Sequence, residues 1–343
     1  MQPVVIHNST FYNGDCISGA AEHITDNSVD LIITDPPYGI NGDMLHRHYN
    51  RNEDFVVDGY VEIPRGDYAD FSTRWIREAE RVLRPGGSIY IVSGYTNLID
   101  LLNALKTTNL KEINHIIWKY NFGVFTRRKY VSSHYHILFY EKPGGKRTFN
   151  LESRYGLNEK TDEGRSLNNF DREDVWIINR EYKPGRMKNK NELPTKLLIK
   201  MIQYSSNEEE VVADFFCGGF STAAVALGLN RRFIGFEISR QIFEAKVQEI
   251  QNLVPGYLLA RLKNPASGIP KNAKKTWTDK DIRNLCERYT CLCAGGLSRK
   301  QIIERLQEDL GRGHWSIDKA LKKNGLFIKK NAHLIKKDAL KRG

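Results

Sequence analysis

At 343 residues, with 40% apolar side chains, the chain is long enough for one substantial α/β domain and a smaller one. No apolar stretch approaches the roughly 20 residues of a membrane span, five scattered cysteines fit an ordinary soluble protein, and no basic leader follows Met1, so the cytoplasm is the expected compartment. Charge is polarised: residues 261–343 hold 21 Lys and Arg against 8 Asp and Glu, and residues 1–260 hold 31 against 33. That imbalance points the last quarter of the chain at a polyanion, nucleic acid before a membrane surface, with a solvated basic tail as the alternative.

In chain order, residues 1–260 alternate strand-like and helix-like segments. Strands are expected at 31–34, 88–93, 210–214 and 232–237, and helices at about 67–83, 96–107, 196–206, 220–228 and 239–251. Such alternation predicts a mostly parallel sheet with helices on both faces. Two further apolar runs, 113–120 and 135–141, flank an aromatic and basic stretch and read as an antiparallel hairpin at one edge of the sheet. Residues 39–66 lack periodicity and are expected to be a mobile loop. Residues 143–192 are irregular and polar, with basic side chains at Lys146, Arg147, Arg154, Arg172 and Arg180; only 175–178 resembles a strand.

Residues 261–276 read as a linker, and 277–343 as a basic helical domain. Thr278 and Asp281 cap a first helix there, and Gly295-Gly296 ends it. Ser298 and Gln301 form a capping box for a second helix, which Gly311 and Gly313 break. A third spans His314–Lys323 and stops at Asn324-Gly325. Three short helices with a glycine turn match the helix-turn-helix plan.

Two motifs carry chemistry. Val29-Asp30-Leu31-Ile32-Ile33-Thr34 is a buried-strand pattern closed by Asp35-Pro36-Pro37-Tyr38. Ligands of open α/β sheets collect at the carboxyl ends of strands. A carboxylate, backbone carbonyls freed from the ladder and an aromatic face suit a flat, amino-bearing ring; an Asp-Pro turn with a packed tyrosine is the bland alternative. The second motif, Asp214-Phe215-Phe216-Cys217-Gly218-Gly219-Phe220-Ser221-Thr222, follows an apolar strand and opens a helix. Its glycines let backbone approach a ligand, and Glu237, about twenty residues on at the end of the next strand, is placed to bind ribose hydroxyls. Cys286, Cys291 and Cys293 with His314 do not follow a usual zinc spacing, so no metal is expected.

Together the motifs resemble the amino-methyltransferases of DNA that use S-adenosyl-L-methionine, with their Asp-Pro-Pro-Tyr and Phe-x-Gly-x-Gly hallmarks. The catalytic motif comes first and the cofactor motif about 180 residues later, the circularly permuted order of the family's β group. Asn13-Gly14-Asp15-Cys16 resembles the segment contacting the cofactor's adenine. Arg81-Val82-Leu83-Arg84-Pro85-Gly86-Gly87-Ser88 resembles the family's helix-to-strand turn; Asp174-Val175-Trp176 and Leu193-Pro194-Thr195-Lys196 resemble the approach to the cofactor half. The resemblance covers roughly residues 10–255. Departures are Asp214-Phe215-Phe216 for Asp-Pro-Phe, His134-Tyr135 for a His-Glu pair, and a bulky Phe220 that is expected to narrow the methionine pocket.

The resemblance implies a Rossmann-like methyltransferase sheet that acts on double-stranded DNA. Asp35, Pro36, Pro37 and Tyr38 would be catalytic; Asp15, Cys16, Asp35, Thr195, Lys196, Asp214, Phe215, Phe216, Gly218, Ser221, Thr222 and Glu237 would hold the cofactor. The target amine would give its two N–H bonds to Asp35 and the Pro36 carbonyl, with the base flipped out of the duplex and Phe122, Trp118 or Phe125 beside it or in the core. Arg127, Arg128 and Lys129 are expected on phosphates or in a solvated turn; Arg154 and Arg172 of a target-recognition insertion at 143–192, and Lys319, Lys322 and Lys323, complete the DNA-contacting set. Aspartate at position 35 leans toward adenine-N6 over cytosine-N4, since the cytosine enzymes more often carry serine there. A homodimer and a cognate restriction endonuclease are left open, and a DNA-binding regulator with a dead methyltransferase fold is the rival from another class.

Overall fold

The computed structural model describes residues 1–37, 63–121, 127–181, 192–262, 272, 275–295, 297 and 299–326. The chain divides into two compact units: Met1–Arg154 with Asn169–Asn264, and Tyr155–Asn168 with Pro265–Gly343. Tyr38, residues 39–62 of the expected mobile loop, Phe122, Phe125, Gly296, Ser298 and most of the expected linker lie outside the described residues.

The first unit opens with β1 (Pro3–Ile6), β2 (Ser9–Asn13), α1 (Cys16–His23), β3 (Val29–Thr34), α2 (Tyr68–Val82), β4 (Leu83–Ser93) and α3 (Leu98–Leu105). There follow β5 (Lys111–Lys119), β6 (His134–Glu141), α4 (Leu167–Asp171), β7 (Val175–Ile177), α5 (Thr195–Ser205), β8 (Val211–Asp214), α6 (Ser221–Gly228), β9 (Arg232–Glu237) and α7 (Arg240–Gln251). Among the described residues the strands form one nine-stranded sheet, ordered β1-β2-β9-β8-β3-β4-β6-β5-β7. Strands β2, β9, β8, β3 and β4 run parallel. The expected hairpin is present as β5 and β6, but it is not the edge: β7 pairs parallel to β5 and lies outside it.

Two apolar cores explain the layering. Alternate strand residues such as Leu31, Ile33, Val212 and Phe233 face one core with Leu197, Leu198, Ile202 and Ala226 of α5 and α6. Ile32, Ile89, Ile91 and Ala213 face the other with Trp75, Ile76 and Ala79 of α2. Helix α2 buries Phe71, Ser72, Trp75, Ile76, Ala79 and Val82, a stripe at helical spacing. At the far edge β1 and β2 close through His7 and Asn8, both at positive φ (49° and 59°), the conformation a two-residue hairpin turn needs.

The irregular stretch after β6 is pinned at both ends. Asn150 Nδ2 donates to the carbonyls of Gln203 (3.1 Å) and Ser206 (3.0 Å) beside α5. Arg154 donates to Asp171 at 2.8 Å, and Asp171 also takes Lys200 at 3.6 Å and the Tyr204 hydroxyl at 2.7 Å. Arg154 is therefore part of an ion-pair cluster, with 20% of its side chain exposed.

The second unit has its own core. Helices α8 (Asp279–Ala294), α9 (Arg299–Leu310) and α10 (His314–Lys323) bury Leu285, Tyr289, Ile302, Ile303, Leu306, Ile317, Ala320 and Leu321 against one another. Thr278 and Asp281 form the expected capping box on α8.

Candidate active site

Strands β3 and β8 are neighbours, in register at Leu31 with Val212 and Ile32 with Ala213. From β3 the chain proceeds through α2 to β4 on one side, and from β8 through α6 to β9 on the other. The two carboxyl ends therefore flank the point where connections diverge, the place where an open sheet leaves a crevice. Pro36 and Pro37 have no N–H to continue the ladder, so β3 stops at Thr34 and Asp35 is delivered to the rim.

A cavity enclosing about 1080 Å³ of atom-free space, its open mouth included, fills that crevice. Its wall brings together Asp15, Cys16, Asp35, Pro36, Pro37, Asp214, Phe215, Phe216, Gly218, Ser221, Thr222 and Glu237 from the sequence-derived set. Thr195 and Lys196 do not line it; they begin α5, where the Thr195 hydroxyl donates to Glu181 at 2.8 Å, and Glu192 and Leu193 occupy the wall instead. Sequence reading also missed Phe71, Ile63, Ile238 and Ile242, apolar wall residues that only the folded chain gathers.

Hydrogen bonds lock the two motifs together. Thr34 Oγ1 donates to Asp214 Oδ1 at 2.9 Å, and the Phe216 N–H donates to the same oxygen at 3.0 Å. Further down, Asp30 accepts the Val211 N–H at 2.8 Å and Arg84 Nε at 2.5 Å, tying β3, β8 and β4 at their other ends. Thr34 was legible as the residue before Asp35, yet its partner lies 180 positions away.

The glycine bend is held from β9. Gly218 takes a positive φ of 49°, and its N–H donates to Glu237 Oε2 at 2.8 Å while the Ser239 N–H donates to Oε1 at 2.8 Å. A carboxylate offers about four acceptor positions, so Glu237 keeps acceptor capacity beyond its backbone donors. Burial raises its pKa, against the pull of those backbone donors. The end of β2 runs alongside: Asn13 Nδ2 and the Gly14 N–H both donate to the Glu237 carbonyl, at 2.8 and 2.9 Å. Asp15 then caps α1 through the Ser18 N–H at 2.8 Å, which places Asp15 and Cys16 beside Glu237. Burial pushes the Cys16 and Cys217 thiols well up, so neither is a thiolate at neutral pH.

Phe220 is not where its bulk suggested. It adopts a left-handed conformation (φ 59°, ψ 22°) and turns into the core, stacked on Phe11 at 5.6 Å and edge-on to Phe243 at 6.1 Å. It does not line the cavity, so it narrows nothing there.

Asp214 is fully buried, and burial pushes its pKa up to about 6 despite hydrogen bonds from the Phe216 N–H, Thr222 and Thr34. A raised carboxyl pKa means the folded chain holds a proton that the unfolded chain has released between about pH 4 and 6. Stability therefore falls as pH rises through that window, and the full cost is present above it. Asp214→Asn keeps an acceptor for Thr34 and removes the buried charge. The unliganded variant should be more stable than its parent at pH 7.5, by on the order of 2–3 kcal/mol, with the gap closing toward pH 4. Thermal denaturation at both pH values checks this; a gap independent of pH would refute the assignment.

Away from the cavity, Trp118 is core rather than a base support, stacked on Tyr135 at 5.5 Å with its indole N–H donated to the Ile178 carbonyl at 2.8 Å. The Arg180 guanidinium lies over Tyr120 (4.9 Å) and Tyr135 (5.2 Å) and donates to the Tyr135 hydroxyl at 2.9 Å. Arg127, Arg128 and Lys129 are exposed, and Arg172 is half-buried with a bond to Asn169 at 2.8 Å. Lys319, Lys322 and Lys323 are exposed on α10. Among the described residues no group of three or more His, Cys, Asp or Glu could hold a metal ion, and no helix is long and apolar enough to cross a membrane.

Comparison with known proteins places this geometry. Residues 29–248 match the DNA methylase family. Type II methyltransferase M.HpaI of Haemophilus parainfluenzae is 31% identical over 244 residues, 69% of this chain and 73% of that protein. The solved structure of TTHA0409 from Thermus thermophilus, complexed with S-adenosyl-L-methionine, is similar at a TM-score of 0.50 and 24% identity, over 72% of this chain and 94% of that one. The cytosine-N4-specific PvuII DNA methyltransferase is similar at 0.54 and 15%, over 73% and 88%. These two likenesses are of fold. The family match runs from the first residue of β3 past the end of β9, across both strand tips that build the cavity, and on that match the chain belongs to the DNA methylase family.

Proposed function

We propose that the chain methylates the N6 amino group of an adenine flipped out of double-stranded DNA, with S-adenosyl-L-methionine as donor. The observation that carries this reading is the meeting of Asp35 and the Gly218 bend in one cavity. The wall suits that donor: apolar side chains at Phe216, Ile238 and Ile242 for a flat ring, and a Glu237 carboxylate with acceptor positions open for ribose hydroxyls. When bound, it supplies an electrophilic methyl group on a sulfonium. Asp15, Asp214, Gly218, Ser221, Thr222 and Glu237, which line the cavity, would hold it.

The target amine is a poor nucleophile because its lone pair is delocalised into the ring. Asp35 and the Pro36 carbonyl accept its two N–H bonds and draw the nitrogen toward tetrahedral geometry. Stronger binding of that geometry than of the planar amine lowers the barrier, with positioning as the larger contribution. By the family resemblance Tyr38, which lies outside the described residues, would stack on the base.

Aspartate rather than serine at position 35 favours adenine. Hydrolysis of methylated DNA to nucleosides, followed by mass spectrometry, tests it: N6-methyldeoxyadenosine is expected. N4-methyldeoxycytidine alone would transfer the same machinery to cytosine, and no methylated base from active-site-intact protein that fails to bind the donor would point to a regulator.

A further inference from the structure

The family match ends at residue 248, so α8, α9 and α10 lie beyond it. Their charges differ in kind. Helix α8 carries Asp279, Asp281 and Glu287 among its Lys and Arg, and α9 carries Glu304, Glu308 and Asp309. Helix α10 has one acid, Asp318, and it is buried, taking Arg299 at 2.5 Å and Lys322 at 2.6 Å. Its outward positions hold Trp315, Lys319, Lys322 and Lys323, opposite the inward Ile317, Ala320 and Leu321. Trp315 is 74% exposed. An indole in water beside lysines is the composition of a surface that meets another molecule, with the ring packing on sugar or base edges and the ammonium groups on phosphates.

The presentation of α10 is rigid. Three residues, Gly311, Arg312 and Gly313, separate it from α9, and Gly311 has a positive φ of 57°. Arg312 is buried beneath this turn. Its guanidinium lies 4.4 Å from the Trp277 ring centroid and donates to the Thr276 carbonyl (3.2 Å), to Asp281 (3.1 Å) and to the Lys275 carbonyl. A buried arginine with that many acceptors fixes the turn, and a fixed turn of three residues between helices is the plan by which such units offer their last helix to a groove.

We infer that α10 is a second DNA-contacting element of this chain, with Lys319 and Lys323 on phosphates and Trp315 against the groove wall. A membrane surface is the weaker fit, because Trp315 is the only apolar residue on the outward face. The choice of duplex DNA rests on the methylase reading.

The test uses the full chain and fluorescence anisotropy with a labelled duplex of about 30 base pairs, without turnover. Lys319→Glu/Lys323→Glu should weaken binding at least about tenfold and lower the slope of log affinity against log salt by about two, one for each phosphate no longer neutralised. The same double reversal on α8, Lys280→Glu/Arg283→Glu, should cost less than about threefold, since it changes only the long-range field. Trp315→Ala should cost about fivefold with the salt slope unchanged. Lys319→Gln/Lys323→Gln repeats the measurement should the reversal disturb folding. Equal losses from α10 and α8, or an unchanged salt slope, would overturn the inference, as would binding of phosphatidylserine vesicles lost in the α10 variant whose DNA affinity is intact. An inactive parent would sink the proposed reaction but leave this binding result standing.

Discussion

Asp35→Ala should lower methyl transfer by at least about a thousandfold while leaving donor affinity within a few-fold of the parent. Positioned acid–base and hydrogen-bonding groups contribute on the order of 10²–10⁴ in rate, and removing the carboxylate leaves the amine one acceptor short. The cavity should survive, because the bond that ties the strand tips runs from Thr34 to Asp214 and does not involve Asp35. Asp35→Asn keeps an acceptor but not the charge and should fall between parent and alanine variant. Incorporation of labelled methyl groups gives the rate, and calorimetry gives the donor affinity. Turnover by the alanine variant within tenfold of the parent would remove Asp35 from the chemistry.

The second large effect is expected at Glu237, and it should appear in binding. Its two oxygens hold the Gly218 and Ser239 N–H groups, and its backbone carbonyl is held by Asn13 and Gly14. Glu237→Ala leaves two partly buried N–H donors without an acceptor, at about 1–3 kcal/mol each, and removes the acceptor proposed for ribose hydroxyls. Donor affinity should drop at least about a hundredfold, the equivalent of about 2.7 kcal/mol. Glu237→Gln retains one acceptor oxygen and should lose less. Titration calorimetry decides; an alanine variant with unaltered affinity would show that Glu237 only supports the fold.

Much of the site was readable in one dimension because both motifs sit where an apolar run meets a residue that must break it. Pro36 and Pro37 end β3, Gly218 bends the chain after β8, and Glu237 closes β9. Strands β1 and β2 left no such mark. They are short and mixed, and β2 is a strand because β9 lies beside it, pairing Thr10 with Ile234 through Asn13 with Glu237. Side-chain direction was equally hidden. A left-handed backbone at Phe220 sends its ring into the core, and a sequence shows the neighbour but not the turn of φ. The partners of Arg154, Asp171 and Gln203, are 17 and 49 positions away, so its ion pairing does not show in the sequence. Thr195 and Lys196 were placed by resemblance alone, and the wall falls two or three residues earlier, at Glu192 and Leu193.

The pinning of the irregular stretch has a bearing on how such a chain diversifies. Asn150 and Arg154 fasten its near side to α5, and Asp171 fastens its far side through Lys200 and Tyr204, so the ends are fixed irrespective of what joins them. Lengthening a flexible connection between fixed ends costs only about 0.6 kcal/mol per doubling. A change of length between Arg154 and α4 is therefore taken up within that stretch, while the anchors keep it from pulling on the sheet.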